Sequence, residues 1–86
     1  MSFDGGQVVS TSTRTFRVVL EWDPEGKMWT ISVPALPGCF TQGPTREEAL
    51  RRASEAIACH LQGLRADGLP VPDDVPVELD SVAVAV

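Results

Sequence analysis

Trp29-Thr30-Ile31-Ser32-Val33-Pro34-Ala35-Leu36-Pro37-Gly38-Cys39-Phe40-Thr41-Gln42-Gly43-Pro44-Thr45-Arg46-Glu47-Glu48-Ala49-Leu50 decides how this chain folds. It joins a strand, a tight Pro/Gly corner, a second short strand and the start of a helix. Trp29, Ile31 and Val33 alternate with Thr30 and Ser32, the period of a half-buried strand. Pro34 and Pro37 cannot donate ladder hydrogen bonds, so that strand ends near Val33. Gly38 permits a sharp reversal, Cys39 to Gln42 forms the next strand, and Gly43-Pro44 stops it. Thr45 then predicts a capping box. Its hydroxyl accepts from the Glu48 amide and the Glu48 carboxylate reaches back to the Thr45 amide.

Upstream, Thr15 to Trp22 is β-branched and aromatic, with Phe16, Val18, Leu20 and Trp22 on one face. Asp23-Pro24-Glu25-Gly26-Lys27 is turn chemistry and closes a hairpin with Met28 to Val33. Residues 1–13 are polar and rich in Ser, Thr and Gly, and read as a loose tail before a domain over 14–86, although Gln7-Val8-Val9 has the composition of a short strand.

Downstream, Ala49, Leu50, Ala53, Ala56, Ile57, Leu61 and Leu64 recur at helical spacing. Gly68 and Pro70 mark the end of a helix of about 22 residues. Val77 to Val86 predicts a final strand, with Val82-Ala83-Val84-Ala85-Val86 apolar on both faces. The expected fold is therefore α+β, a single two-layer domain in the order β-β-β-α-β. An antiparallel sheet carries one long helix packed on one face. Phe16, Val18, Leu20, Ile31 and Val33 are expected to meet Leu50, Ala53, Ile57, Leu61 and Leu64.

These pieces are similar to the HicB-like antitoxin family, whose pattern is an aromatic-rich strand, then V-P-x-L-P-G-C, T-Q-G-x-T and E-E-A-L. The matching residues are Val33 to Cys39, Thr41 to Thr45 and Glu47 to Leu50, and the resemblance extends over roughly Phe16 to Pro72. It implies a small domain, likened to a degraded RNase H fold, that binds a small basic RNA-cleaving toxin and blocks its active site. Fuller members of that family add a DNA-binding domain. This chain stops after its expected last strand, so no direct DNA binding is expected. A HicA-like toxin is the implied partner; a solitary regulatory protein without a toxin is the alternative. The family pattern prescribes no catalytic residues.

Eighty-six residues with a net charge of −5 make one small acidic domain. That charge disfavours non-specific nucleic-acid binding and suits a basic partner. No apolar run reaches the roughly 20 residues of a membrane span, and the N-terminus lacks the pattern of a signal peptide, so the expected location is the cytoplasm. Cys39 and Cys59 match no zinc or redox spacing and read as buried small apolar residues.

No catalytic set, metal site or cofactor site is legible. His60, the sole histidine, has no nucleophile or ligand cluster beside it. Glu21, Asp23 and Glu25 cluster at the first hairpin. Solvated charges are the ordinary reading there, and a Mg²⁺-dependent nuclease remnant is the enzymatic alternative. Asp73, Asp74, Glu78 and Asp80 likewise read as surface charge. Trp22 and Trp29 flank the hairpin, as a cross-strand pair or as an aromatic anchor for a partner. Glu21, Asp23, Glu25, Trp22 and Trp29 are thus the candidate partner-binding residues. One helix covers only one face of a sheet, so Val82, Val84 and Val86, with His60 at the rim of the helical stripe, are the candidate contact of a dimer or a dimer of dimers.

Overall fold

Three strands and one helix carry the architecture: β1 (Val19–Asp23), β2 (Met28–Ser32), β3 (Phe40–Gly43) and α1 (Arg46–Ala66). The structure is a computed structural model and describes residues 13–86. The expected strand at Gln7-Val8-Val9 lies outside the described residues. The sheet is antiparallel in the order β1-β2-β3. Leu20 pairs with Ile31 and Trp22 with Trp29 across the hairpin, and Ile31 pairs with Thr41 on the other side.

The corner after β2 is a compact hydrogen-bonded unit. Leu36 N–H donates to the Val33 carbonyl (2.9 Å), Cys39 N–H to the Leu36 carbonyl (2.9 Å) and Val33 N–H to the Cys39 carbonyl (3.2 Å). Gly38 sits at φ 84°, in the left-handed region that only glycine enters at no steric cost. These bonds satisfy the corner backbone while Val33, Ala35, Leu36 and Cys39 turn inward and become buried. The V-P-x-L-P-G-C run is therefore core as well as turn.

Thr45 caps α1, its hydroxyl accepting from Glu48 N–H at 3.1 Å. The reciprocal half of the expected capping box is replaced. The Glu48 carboxylate is held instead by Arg51 and by Arg52, the latter at 3.2 Å. Spacing of i,i+3 and i,i+4 brings both guanidiniums within reach of the carboxylate, each through a charge-assisted bond. Arg52 also donates to the Gln42 carbonyl at 3.1 Å and ties the helix to β3. The helix ends as expected. Gly68 at φ 70° donates to the Arg65 carbonyl and Leu69 to the Leu64 carbonyl, a Schellman closure.

Two clusters form the core. Val33, Leu36, Cys39 and Leu61 gather Phe16, Val18, Ile57 and Leu64, while Ile31, Ala49 and Ala53 gather Leu20, Trp29 and Leu50. The expected pairing of helix and sheet residues is thus realised. The helix lies over β3 and β2, leaving β1 to one side.

Four further expectations need correction. The first ladder begins at Val19 rather than Thr15, because the partner strand ends at Ser32 and the proline corner carries the chain away. Cys59 is exposed while Cys39 is buried. On the helix Cys59 falls outside the stripe that runs through Ala49, Ala53 and Leu61. The expected strand at Val77 to Val86 forms no ladder among the described residues. Its β-branched composition favours an extended backbone, but composition fixes no hydrogen-bond register, and the segment runs past the edge strand β1 without pairing to it. Residues 74–79 do pass beside β1. Arg17 N–H and its guanidinium donate to the Asp74 carboxylate at 3.1 and 2.9 Å, and Val77 and Leu79 line a recess with Val18, Leu20 and Arg46. Asp74 is therefore an anchor of the chain end rather than a solvated charge.

Candidate partner-binding surface

The sheet has a covered and an open face. Leu20, Trp22, Trp29 and Ile31 project toward the helix side, so by strand alternation Val19, Glu21, Thr30, Ser32, Phe40 and Gln42 project to the other. The register arranges these as two cross-strand rows, Val19-Ser32-Phe40 and Glu21-Thr30-Gln42. Between them runs an open depression of about 500 Å³ lined by Glu21, Thr30, Ser32, Phe40 and Gln42. Small Ser and Thr side chains on the central strand create the depression, because larger residues there would fill it. Phe40 is 74% exposed at its edge. Phe40 on β3 and Glu21 on β1 thus line opposite sides of one depression, with the small side chains of β2 between them.

Sequence reasoning does not single out Phe40. A signal for it exists: in Phe40-Thr41-Gln42-Gly43 the period of two places Phe40 opposite the buried Gly43.

The five candidate residues at the hairpin divide between the two faces. Trp22 and Trp29 stack across the strands, ring centroids 5.5 Å apart and tilted by 58°. Trp29 packs against the Ile31, Ala49 and Ala53 cluster, and Trp22 stays 47% exposed at the rim. The pair is thus packing on one side and accessible ring on the other. Glu21 lies on the open face, with its carbonyl accepting from the Thr30 hydroxyl at 3.2 Å. The Asp23 carboxylate accepts from Glu25 N–H at 3.1 Å and so shapes the turn. A Cβ at Gly26 would meet the Asp23 carboxylate at 2.7 Å, and Lys27 adopts φ 52°. This turn is built for tightness, with Glu25 exposed at its tip.

His60 lies half-buried on the helix. Val82, Val84 and Val86 are exposed on the chain end. Among the described residues no group of three or more His, Cys, Asp or Glu side chains lies close enough to hold a metal ion. No described helix is long and apolar enough to cross a membrane. The buried Cys39 thiol is pushed above its ordinary value by burial and by the nearby Cys59.

An antiparallel three-stranded sheet with one long helix, a buried V-P-x-L-P-G-C corner and a glycine-seated helix start define a small two-layer α+β domain. Residues 16–84 match the HicB_like antitoxin family of bacterial toxin-antitoxin systems, and the chain belongs to that family. It is 39% identical over 64 residues to a UPF0150 protein of Thermoplasma acidophilum, covering 74% of this chain and 91% of that one. A UPF0150 protein of Synechocystis is 37% identical over 59 residues, 69% of this chain and 73% of the relative. Among solved structures, the fold is similar to the N-terminal domain of the Burkholderia pseudomallei antitoxin HicB. The TM-score is 0.57 with 27% identity, over 77% of this chain and 72% of that one.

Proposed function

We propose that this protein is a non-catalytic binding module of the cytoplasm that neutralises a small basic RNA-cleaving toxin by covering it. The observation that carries the reading is the family match over residues 16–84. The surface chemistry agrees with it. The chain is acidic, with a net charge of −5, and its open sheet face offers the exposed ring of Phe40 across a shared depression from Glu21. Asp23, Glu25 and the rim of Trp22 lie at the adjoining hairpin, so a partner that grips the hairpin meets carboxylates and an indole together. The toxin contributes the positive charge, and the aromatic rings provide the anchors.

The experiment pairs the protein with a small basic protein encoded beside its gene. Purified toxin cleaves a structured RNA, and an equimolar amount of this protein abolishes cleavage. Phe40→Ala weakens the complex at least tenfold, about 1.4 kcal/mol, and Glu21→Lys slows association, more so at low salt. The protein alone, with Mg²⁺ or Mn²⁺, leaves the RNA intact. RNA cleavage by the protein alone that vanishes in Glu21→Gln would overturn the non-catalytic reading, and undiminished toxin activity at excess would overturn the antitoxin reading.

A further inference from the structure

The helix covers β3 and β2, and this offset leaves an apolar groove on the β1 side. Phe16 and Val18 form one wall; Leu50, Ile57 and Leu61 form the other; Arg14 and Arg65 stand at one end. The groove measures about 440 Å³. Phe16, Val18, Leu50 and Ile57 remain only half-buried because nothing among the described residues fills it.

The same chain carries an apolar segment with no place to go. Val82, Val84 and Val86 are 85%, 74% and 119% exposed, and they share one side of an extended backbone. This arm lies at the end of the described residues.

The arm does not line its own groove. The Arg17–Asp74 pair fixes its base, and Val77 and Leu79 pass Leu20 and Arg46 at the helix N-terminus. The groove extends in the opposite direction, toward Arg65. We infer that the arm of one copy fills the groove of a second copy, and that the exchange is reciprocal about a two-fold axis.

Length and charge both fit a second copy. Residues 80–86, fully extended, span about 23 Å, and the helix from Leu50 to Arg65 rises about 23 Å. Glu78 and Asp80 at the base of the arm are acidic, whereas the entrance of the groove carries Arg14 and Arg65. Among the described residues neither arginine has a carboxylate within 4.0 Å. Asp80 at that entrance places Val84 beside Ser54 and Ile57, and Val86 near Leu50. Such an isologous contact covers the exposed valines and completes the half-buried core together. It is independent of any toxin.

Light scattering after size exclusion, at tens of micromolar, reads the state directly. The wild type has twice its chain mass of 9.2 kDa, and Val84→Lys shifts it to the single-chain mass with the helical circular dichroism retained. A second measurement locates the contact. In a Cys59→Ser background, a chain with both Ser54→Cys and Val84→Cys oxidises to a covalent dimer, and neither single cysteine does so. A monomeric wild type overturns the inference. So does a double-cysteine chain that closes within itself, or a dimer that survives Val84→Lys and forms no cross-link.

Discussion

Gly43 lies directly against the backbone of Ala49. A Cβ placed on Gly43 would stand 2.6 Å from the Ala49 nitrogen and 2.9 Å from its Cα. Ala49 is fully buried at this contact, and Arg52 reaches over it to the Gln42 carbonyl. The glycine of T-Q-G-x-T and the alanine of E-E-A-L thus meet to seat the helix on β3. Gly43 does not adopt a positive φ, so its requirement is one of space. Gly43→Ala is expected to destabilise the fold by roughly 1–3 kcal/mol, the range for forced overpacking. Gly63 supplies the contrast. It lies within the helix, and a methyl added there would meet no described atom within 4 Å, so Gly63→Ala should stabilise by about 0.5–1 kcal/mol. Urea midpoints of the two variants moving in the same direction would refute this account of Gly43.

Thr45 holds the first turn of the helix through one bond, its hydroxyl to Glu48 N–H. Thr45→Ala removes that acceptor and should cost about 1 kcal/mol. Thr45→Ser keeps it and should cost much less. Equal midpoints for wild type and Thr45→Ala would mean that the amide finds another acceptor.

Glu48 links the same turn to pH. Hydrogen bonding from Arg51, with further attraction from Arg52, holds its carboxyl below the ordinary value of 4.5. A group with a depressed folded-state value contributes stability that is present above the unfolded value. That contribution is lost as pH falls through the folded one. Acidification below about 4.5 should therefore weaken the wild type through Glu48, and Glu48→Gln should flatten this part of the profile. The effect is small because Glu48 is only half-buried and its partner Arg51 is exposed, so solvent screens the pair. Thermal melts from about pH 6 to about pH 3 test it; identical slopes for both proteins would exclude Glu48 as a contributor.

The hairpin, the corner and the helix are legible in the sequence because each has local causes. Pro24 and Gly26 set one turn, Pro34 to Gly38 the next, and Thr45 and Gly68 bound the helix. Phe40 and the ending at Val77 to Val86 are harder for different reasons. Phe40 belongs to a four-residue strand, where one alternation is a weak signal and the neighbouring corner is largely buried. Val82 to Val86 has strand composition, but pairing depends on a free neighbour at the right place, which composition does not encode. Asp74 resembles its neighbouring surface acids in sequence, since its bond to Arg17 joins residues 57 positions apart. The exposure of Cys59 is hidden because a helical stripe of mostly small residues defines the buried side loosely.

The two cysteines should differ sharply as nucleophiles. Cys39 is 7% exposed inside the proline corner, and its thiol is pushed up by burial and by the proximity of Cys59. The thiolate is the reactive form, so both access and ionisation protect Cys39. Cys59 stands exposed on the helix. An aromatic disulfide reagent at mildly alkaline pH should release one equivalent of chromophore rapidly. A second equivalent should follow at a rate limited by opening of the corner. Cys59→Ser should erase the fast phase alone, and urea should merge the two phases. Two equally fast thiols in the folded protein would place Cys39 outside the core. Because Val33, Leu36 and Leu61 pack around the same sulfur, that result would also undo the assignment of the corner as part of the hydrophobic core.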